Sequence, residues 1–237
     1  WIKEKPIAHR GFHTGDASVP ENSIAAVERA IDNGFVPELD VRVLADNKAV
    51  VFHDTTLRRL CGTHKNVSQV SSSDIHEYRL LESQHKIPLL REVLELVNGR
   101  IPLLLEIKNS FNPGRLEKAI VSDLLHYKGA FAIQSFNPFS LLWLRVNKPE
   151  YIRGQLSGTF YDKQMNHVLK YLVSHMFLNS ISNPDFIGPN HHNLPHRAVA
   201  RLRKKGIPVL AWTVKSQAQY EKVAAFTDNI IFENFFP

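Results

Sequence analysis

This 237-residue sequence predicts a (β/α)8 TIM barrel, a single α/β domain. Short apolar, β-branched or aromatic runs alternate with helical patterns, which favours a parallel sheet covered by helices. Eight such units average roughly 30 residues each, which suits a barrel of about 250 residues. The run Ile101-Pro102-Leu103-Leu104-Leu105 is apolar on both faces, as strands of a buried parallel sheet are.

The eight predicted barrel strands are runs of residues that pack well on a pleated surface. A shorter run, Ala49–Phe52, predicts an extra strand after the second barrel strand. Near the end of the chain, Gly206-Ile207-Pro208 marks a helix stop followed directly by a strand start. The barrel strands are predicted over Pro6–Gly11, Val36–Val43, Ile101–Lys108, Phe131–Phe136, Tyr151–Ser157, Phe177–Ser182, Ile207–Val214 and Asn229–Glu233.

The predicted helices begin and end at residues that favour helix termini. Ser23–Asn33 follows Asn22, has apolar residues at helical spacing and stops at Gly34. Pro88–Asn98 begins with proline near its first turn and ends before Gly99. The remaining helices are predicted over Pro113–Tyr127, Pro138–Val146, Lys163–Val173, His196–Lys205 and Ser216–Ala225.

Residues 54–87 form a polar, serine-rich segment that reads as a short insertion after the second barrel strand. No repeat, linker or shift in composition divides the chain, so residues 1–237 are expected to form one domain. The hydrophobic content of 43% and the charged content of 22% are ordinary for a globular protein. No run approaches the ~18 apolar residues that a membrane-spanning helix needs.

The net charge of +6 and the pI near 9.4 favour anionic partners. Nucleic acid is not expected, because the chain has no zinc-finger spacing, RNA-binding aromatic motif or long basic tail. A dense basic cluster reads as the solvated face of a helix, with weak contact to a membrane surface as the alternative. Its members are Arg197, Arg201, Arg203, Lys204 and Lys205.

A cytoplasmic location is expected, since no apolar segment follows the charged first residues as in a secretory signal. The single cysteine, Cys61, excludes an internal disulfide and fits a reducing compartment. No motif surrounds Cys61, so it is expected to be an ordinary thiol. Nothing in the sequence indicates the oligomeric state.

Polar side chains gather at the carboxyl ends of the predicted strands, where TIM-barrel enzymes carry their chemistry. Glu38 and Asp40 lie two residues apart on one strand, so alternation points both to the same face. Glu106 and Lys108 repeat this arrangement on the next long strand. The strand-end residues are His9, Arg10, Glu38, Asp40, Glu106, Lys108, Gln134, Ser135 and Trp212.

The carboxylates of Glu38, Asp40 and Glu106 are the candidate metal ligands. An all-oxygen set favours Mg²⁺ or Ca²⁺ over zinc, which prefers nitrogen and sulfur ligands. The alternative is ion pairing with Arg10, Arg42 or Lys108. Some cation is required in either case, because unpaired burial of charge is costly.

Two histidines, His9 and His53, can move protons near neutral pH. Arg10 and Lys108 can neutralise an anionic group. Together with a divalent cation, these groups suit attack on a phosphate ester. The other ten histidines are expected to be structural, including the His191-His192 pair, for which a second metal site is the alternative.

At these residues the chain resembles the glycerophosphodiester phosphodiesterase family. Three departures from its usual pattern leave the candidate site intact: Pro37, Ser23 and the ending 227–234. The resemblance spans nearly the whole chain and rests on ordered motifs. They are Ala8-His9-Arg10-Gly11, Pro20-Glu21-Asn22-Ser23, Glu38-Leu39-Asp40-Val41, Val50-Val51-Phe52-His53-Asp54, Leu57-Arg58-Arg59, Ile87-Pro88, Glu106-Ile107-Lys108, Gln134-Ser135-Phe136 and Ala211-Trp212-Thr213-Val214.

The resemblance implies a TIM barrel and divalent-cation-dependent hydrolysis of small-molecule glycerophosphodiesters to glycerol 3-phosphate and an alcohol. His9 and His53 then act as acid and base, and Arg10 and Lys108 bind the phosphoryl oxygens. Glu21 and Asn22 are expected to orient the metal ligands and phosphate-binding groups by hydrogen bonds, and Asn22 also to cap the following helix. Gln134 and Trp212 are expected in the substrate pocket, with core packing as the alternative for Trp212.

No protein nucleophile is evident, because Cys61 has no motif and no serine carries an adjacent base. The substrate's own glycerol hydroxyl is therefore the expected first nucleophile, which gives a cyclic phosphate that water then opens. Two alternatives stay open: a catalytically silent phosphoester-binding barrel, and a lysophospholipase D or sphingomyelinase D-like enzyme. Apolar entrance residues around 54–87 and 157–165 would admit a lysolipid tail in the second case.

Overall fold

Eight parallel strands and the helices between them form the scaffold of this protein. The computed structural model describes residues 1–109, 112–158 and 176–237. A further short strand runs antiparallel to the second barrel strand. In these residues the strands are β1 (Ile7–Ala8), β2 (Val36–Val43), β3 (Ala49–Val51), β4 (Leu103–Ile107), β5 (Phe131–Ser135), β6 (Arg153–Ser157), β7 (Phe186–Pro189), β8 (Leu210–Val214) and β9 (Asn229–Phe232).

The strands are arranged around a barrel. Their order is β7-β6-β5-β4-β2-β1-β9-β8, and every neighbouring pair on this path is parallel. Two isolated parallel bridges, Ile187↔Val209 and Asn190↔Trp212, bring β7 against β8 and close the ring. The predicted (β/α)8 TIM barrel is confirmed.

The helices lie between the barrel strands as predicted. The predicted helix Lys163–Val173 falls outside the described residues. None of the helices in the described part of the chain has the length and hydrophobicity needed to cross a lipid bilayer. The described helices are α1 (Ile24–Asp32), α2 (Arg58–Cys61), α3 (Leu90–Val97), α4 (Arg115–Leu124), α5 (Pro138–Asn147), α6 (Asn179–Ser182), α7 (Arg197–Lys204) and α8 (Gln217–Val223).

One strand prediction is wrong. The run Phe177–Ser182 is not a strand, because Asn179–Ser182 forms the short helix α6. The strand of this unit is β7, where Phe186 and Ile187 are fully buried, whereas Phe177 is 52% exposed. A strand of a buried parallel sheet needs two covered faces, and the first run does not have them.

The insertion between β2 and α3 has its own apolar cluster. Phe52, Leu57 and Ile75 are fully buried in it, together with residues from three short 3₁₀ turns. β3 pairs antiparallel with the distal half of β2, so the segment that follows it returns to the carboxyl end of the barrel. His53 and Asp54 lie in this segment, directly after β3.

Candidate active site

The register of the barrel sheet brings the predicted metal ligands together. Asp40 on β2 is the direct neighbour of Glu106 on β4, and Glu106 is the neighbour of Gln134 on β5. Glu38 lies two residues before Asp40 on the same face of β2. The three carboxylates are buried, and each offers an oxygen within 4.8 Å of the others.

Two cations contact this carboxylate trio. The Lys108 ammonium lies 2.6 Å from Glu106 Oε1 and 3.1 Å from Asp40 Oδ1, and Arg10 Nε lies 3.2 Å from Asp40 Oδ2. Glu38 accepts from the Arg10 backbone N–H at 3.0 Å and from Gln134 Nε2 at 3.3 Å. The predicted alternative of ion pairs with Arg10 and Lys108 is therefore present alongside the clustering, whereas Arg42 forms no such pair within the described ranges.

The pKa directions of the trio indicate that Arg10 and Lys108 do not fully neutralise its negative charge. Burial, together with the charges of Asp40 and Glu106, raises the pKa of Glu38 well above its ordinary value. Burial also raises the pKa of Glu106 despite the nearby Lys108. At Asp40 burial acts in the same direction, but Lys108 and Arg10 outweigh it and lower the pKa. Two of the three carboxyl groups thus have a raised pKa, and a further cation beside them would lower it by stabilising their charged forms.

The side chains fit a hard divalent cation at this position. Asp40 Oδ1 and Glu106 Oε1 are buried and lie against the Lys108 ammonium, whereas the buried Gln134 Oε1 accepts no hydrogen bond from the residues that the structure describes. Buried polar atoms normally have partners, so the unpaired amide oxygen of Gln134, on the strand next to Glu106, is consistent with a cation at this position. Carboxylate and amide oxygens are the donors that Mg²⁺ and Ca²⁺ prefer.

The His9-Arg10-Gly11 turn holds its unusual backbone by hydrogen bonds on both sides. His9 N donates to Phe232 O at 2.9 Å, and Gly11 N donates to Glu38 O at 2.9 Å. Arg10 has a φ of 54°, a region that side chains larger than glycine seldom occupy. Gly11 is required, since a Cβ there would lie 2.8 Å from the Cβ of Ala26. Such strain, maintained by the surroundings, is typical of functional sites.

Asn22 orients Asp40 but does not cap the helix that follows. Its Nδ2 donates to Asp40 Oδ2 at 2.9 Å, and its Oδ1 accepts from Asp40 N at 3.1 Å. The N-cap of α1 is Ser23, whose hydroxyl accepts from Ala26 N at 3.1 Å. The predicted capping role of Asn22 is wrong because its φ of 58° turns the side chain toward β2.

Each candidate catalytic histidine has a carboxylate on Nδ1. His9 Nδ1 lies 2.7 Å from Glu233 Oε2, and His53 Nδ1 lies 2.6 Å from Asp54 Oδ1. A carboxylate at Nδ1 favours the tautomer with its proton there, which leaves Nε2 unprotonated and able to accept a proton. Burial lowers the pKa of both histidines below the ordinary 6.5, although Glu233 and Asp54 oppose this effect.

Arg59 joins the two halves of the site. Its guanidinium binds both oxygens of Glu21 at 2.7 and 2.8 Å, and it binds Asp54 Oδ2 at 2.7 Å. Glu21 in turn accepts from Arg10 Nη1 at 2.7 Å. The predicted orienting role of Glu21 therefore has a structural counterpart, since one chain of ion pairs links Arg10 to His53.

Trp212 lies on β8, which is opposite β4 in the barrel order. Its indole N–H donates to Gly188 O at 2.7 Å, and its ring meets Phe136 edge-on with centroids 5.2 Å apart. These contacts fix the orientation of Trp212 at the mouth. They are compatible with both predicted roles, a wall of the substrate pocket and simple packing.

Three residues that contact the predicted site were not assigned a role from the sequence: Glu233, Asp54 and Arg59. Glu233 lies just past the carboxyl end of β9, which pairs with β1. In a closed barrel the last strand lies beside the first, and this was the signal that could have placed Glu233 near His9. His13 was also missed. It lies with His9 and Glu233 in a second group of potential ligands, but its own ring nitrogens make no hydrogen bond within the described ranges.

Three other features that the sequence singled out lie in the following surroundings. Cys61 ends the short helix α2, and burial raises the pKa of its thiol to about 11, which makes it a poor nucleophile. The basic cluster forms the outer face of α7, where Arg203 binds Asp228 at 3.2 Å. His191 and His192 stack on each other and belong to no group of potential metal ligands in the described residues.

The comparisons with known proteins agree with this geometry. A model of the glycerophosphoryl diester phosphodiesterase family matches residues 9–234. The chain belongs to that family. Its members are metal-dependent hydrolases of glycerophosphodiesters, and this chain is an enzyme of that class.

Individual relatives extend over nearly the whole chain. A glycerophosphodiester phosphodiesterase from Caldanaerobacter subterraneus subsp. tengcongensis is 30% identical, over 98% of this chain and 95% of that protein. Glycerophosphodiester phosphodiesterase 1 from Bos taurus is 28% identical, over 89% of this chain and 71% of that protein. A phosphodiesterase from Oleispira antarctica, solved with the product sn-glycerol-3-phosphate, has a TM-score of 0.75 and 24% identity, and the match covers 96% of this chain and 92% of that one.

Proposed function

We propose that this chain hydrolyses glycerophosphodiesters to glycerol 3-phosphate and an alcohol with His9 and His53 as its proton-transferring groups. The observation that carries the proposal is the pair of carboxylate-bound histidines beside a buried carboxylate trio. The product found in the Oleispira antarctica relative supports glycerol 3-phosphate as the phosphorylated product here.

Glu38, Asp40 and Glu106 would hold the divalent ion, which we propose to be Mg²⁺ or Ca²⁺. When bound, this ion neutralises charge that develops on the phosphoryl oxygens. Gln134 and Asn22 keep the ligands in place, since Gln134 donates to Glu38 and Asn22 to Asp40. Ligands held in this way need little reorganisation when the ion enters.

Arg10 and Lys108 are proposed to bind the phosphoryl oxygens. Glu21 and Asp40 fix two nitrogens of the Arg10 guanidinium, which leaves its remaining edge for an anion. Lys108 stays charged, because Glu106 and Asp40 outweigh the effect of burial and raise its pKa. Charge-assisted hydrogen bonds of this kind are about twice as strong as neutral ones.

The glycerol hydroxyl beside the phosphate is the proposed first nucleophile. One histidine removes its proton through Nε2 while the other protonates the leaving alcohol, so a cyclic glycerol phosphate forms and the P–O bond to the head group breaks. In the second step water opens the ring and the two histidines exchange roles. Burial lowers the pKa of both rings, which keeps a neutral base available near neutral pH.

A glycerophosphodiester that lacks the neighbouring hydroxyl is expected to bind but to react poorly, because the nucleophile is missing while the phosphate contacts remain. The measurement is kcat and KM for matched hydroxy and deoxy diesters, with phosphorus NMR to detect the cyclic intermediate. The normal diester should yield cyclic glycerol phosphate before glycerol 3-phosphate. Equal rates for both diesters, with solvent oxygen incorporated in the first step, would show that water attacks directly.

Replacing the carboxylate that binds His9 and the one that binds His53 is expected to shift different limbs of the pH profile of kcat/KM. Glu233 raises the pKa of His9 and Asp54 raises that of His53, so Glu233→Gln and Asp54→Asn should each move one limb of kcat/KM toward lower pH. The acid limb reports the base of the first step and the alkaline limb its acid.

This pair of variants thus identifies which histidine is the base. The control is Glu150→Gln, because the side chain of Glu150 is 60% exposed and pairs only with Lys148 in the described residues. It should leave both limbs in place. If Glu233→Gln and Asp54→Asn moved the same limb, or neither moved any, the two histidines would not divide the acid and base roles.

A further inference from the structure

A polar cleft adjoins the candidate active site on the side of the insertion. It encloses about 690 Å³ and reaches from Lys108 to the first turn of α4. Cationic, amide and hydroxyl groups supply its polar lining, and its described lining residues include no carboxylate. The cleft shares Lys108 with the proposed phosphate site, so it lies where the head group of a bound diester would extend from the reacting phosphate.

Arg42 forms the inner part of this cleft. It lies two residues after Asp40 on the same face of β2, which directs it to the mouth of the barrel. Its Nε donates to His53 O at 2.6 Å and its Nη1 to Lys108 O at 3.4 Å. Both partners are neutral carbonyls, and no described carboxylate forms an ion pair with Arg42. The guanidinium is therefore held in position by neutral groups, and the charges of Asp40, Asp54 and Glu106 act on it without a direct ion pair.

Arg115 forms the outer part. Its Nε donates to Asn47 Oδ1 at 2.6 Å, and its Nη2 donates to the carbonyls of Leu44 at 2.6 Å and Ala45 at 3.0 Å. These acceptors are again neutral. The acidic residue of the same helical turn, Glu117, is fully buried and binds Gly114 N and Asn109 Nδ2 instead. The cleft thus presents two arginines whose charges no carboxylate in the described chain pairs.

Resting on the proposed function, we propose that this cleft receives the head group of the substrate and selects glycerophosphodiesters whose head group carries a negative charge. Two guanidinium groups recognise phosphate or carboxylate with directed hydrogen bonds. The neutral lining groups Thr55, Asn66 and Ser68 suit the hydroxyls of a polyol. A quaternary ammonium head group carries a positive charge, which the two guanidinium groups would repel.

The test compares three diesters that differ in head-group charge: glycerophosphoinositol 4-phosphate, glycerophosphoinositol and glycerophosphocholine. We expect kcat/KM to fall in that order. Arg115→Gln should lower kcat/KM for the phosphorylated diester about tenfold, the scale of one charged contact, and leave glycerophosphocholine within about twofold. Arg115→Lys should retain most of the preference, and Arg201→Gln on the exposed face of α7 should change neither substrate.

A second variant keeps the test independent of the contacts that Arg115 makes with residues 44–47. Ser68→Asp places a carboxylate in the cleft without altering an arginine, and it should favour glycerophosphocholine over the phosphorylated diester. A wild type without head-group preference, or an Arg115→Gln variant that loses all three activities equally with an unchanged melting temperature, would overturn the proposal. Failure to hydrolyse any of the three diesters would instead contradict the proposed function.

Discussion

Exhaustive chelation of divalent ions is expected to abolish turnover, and Mg²⁺ or Ca²⁺ is expected to restore it. The reason is the charge balance at Glu38, Asp40 and Glu106, where burial raises the pKa of two of the three carboxyl groups. Without the ion, carboxylates and the phosphate would repel each other at the same point. The measurement is the rate of alcohol release in the chelated protein before and after each ion is added.

Two further measurements connect this loss to the trio. Metal binding should raise the melting temperature, because only the folded barrel brings β2 and β4 together and an ion that binds the folded state stabilises it. Asp40→Asn should reduce both that shift and turnover, whereas Glu150→Gln should change neither. Full activity in a chelated protein that contains no detectable metal would contradict the assignment.

Replacing either histidine, as His9→Ala or His53→Ala, is expected to lower kcat by about 10² or more, the usual contribution of a positioned acid or base. The fold should persist, because neither ring belongs to an apolar core cluster. The double variant should lose less than the sum of the two effects, since both rings act in one proton-transfer sequence.

The matched control is His64→Ala, because His64 is exposed in the insertion and has no proposed role. Circular dichroism and the melting temperature of each variant show whether the barrel is intact. Near-normal kcat in either single variant would remove that histidine from the mechanism. A loss confined to KM would indicate a binding role instead.

Local patterns in the sequence were sufficient for most of the barrel. β2 was predicted with its observed bounds, Val36–Val43, because charged residues at 38, 40 and 42 alternate with apolar ones at 39, 41 and 43, which is the period of a strand. β7 was missed because its four residues, Phe186–Pro189, contain glycine and proline and look like a loop. A Cβ at Gly188 would lie 2.5 Å from Leu156 Cδ2, so a larger residue there would require the Leu156 side chain to shift. Such a requirement depends on a neighbouring strand and not on local sequence.

In the candidate site, too, some residues could be predicted from local sequence and others depend on tertiary contacts. Strand ends predicted that the trio and His9 lie together, because the carboxyl ends of parallel strands converge, whereas His53 was assigned through its motif. The partners of the histidines were less accessible to this reasoning. Asp54 is adjacent to His53 in sequence, but Glu233 contacts His9 only because β9 pairs with β1. Likewise, residues 22 and 23 are both good capping residues, and only the tertiary contact of Asn22 with Asp40 decides between them.

The contact between His9 and Glu233 spans 224 residues of sequence. During synthesis, a chain that has already formed its first seven barrel strands still has a solvated imidazole at position 9, without its carboxylate. The ribosome must release the last strand before that partner can reach it. The onset of activity in a nascent chain should therefore coincide with the final closure of the ring, and an assay of turnover during translation would report that moment directly.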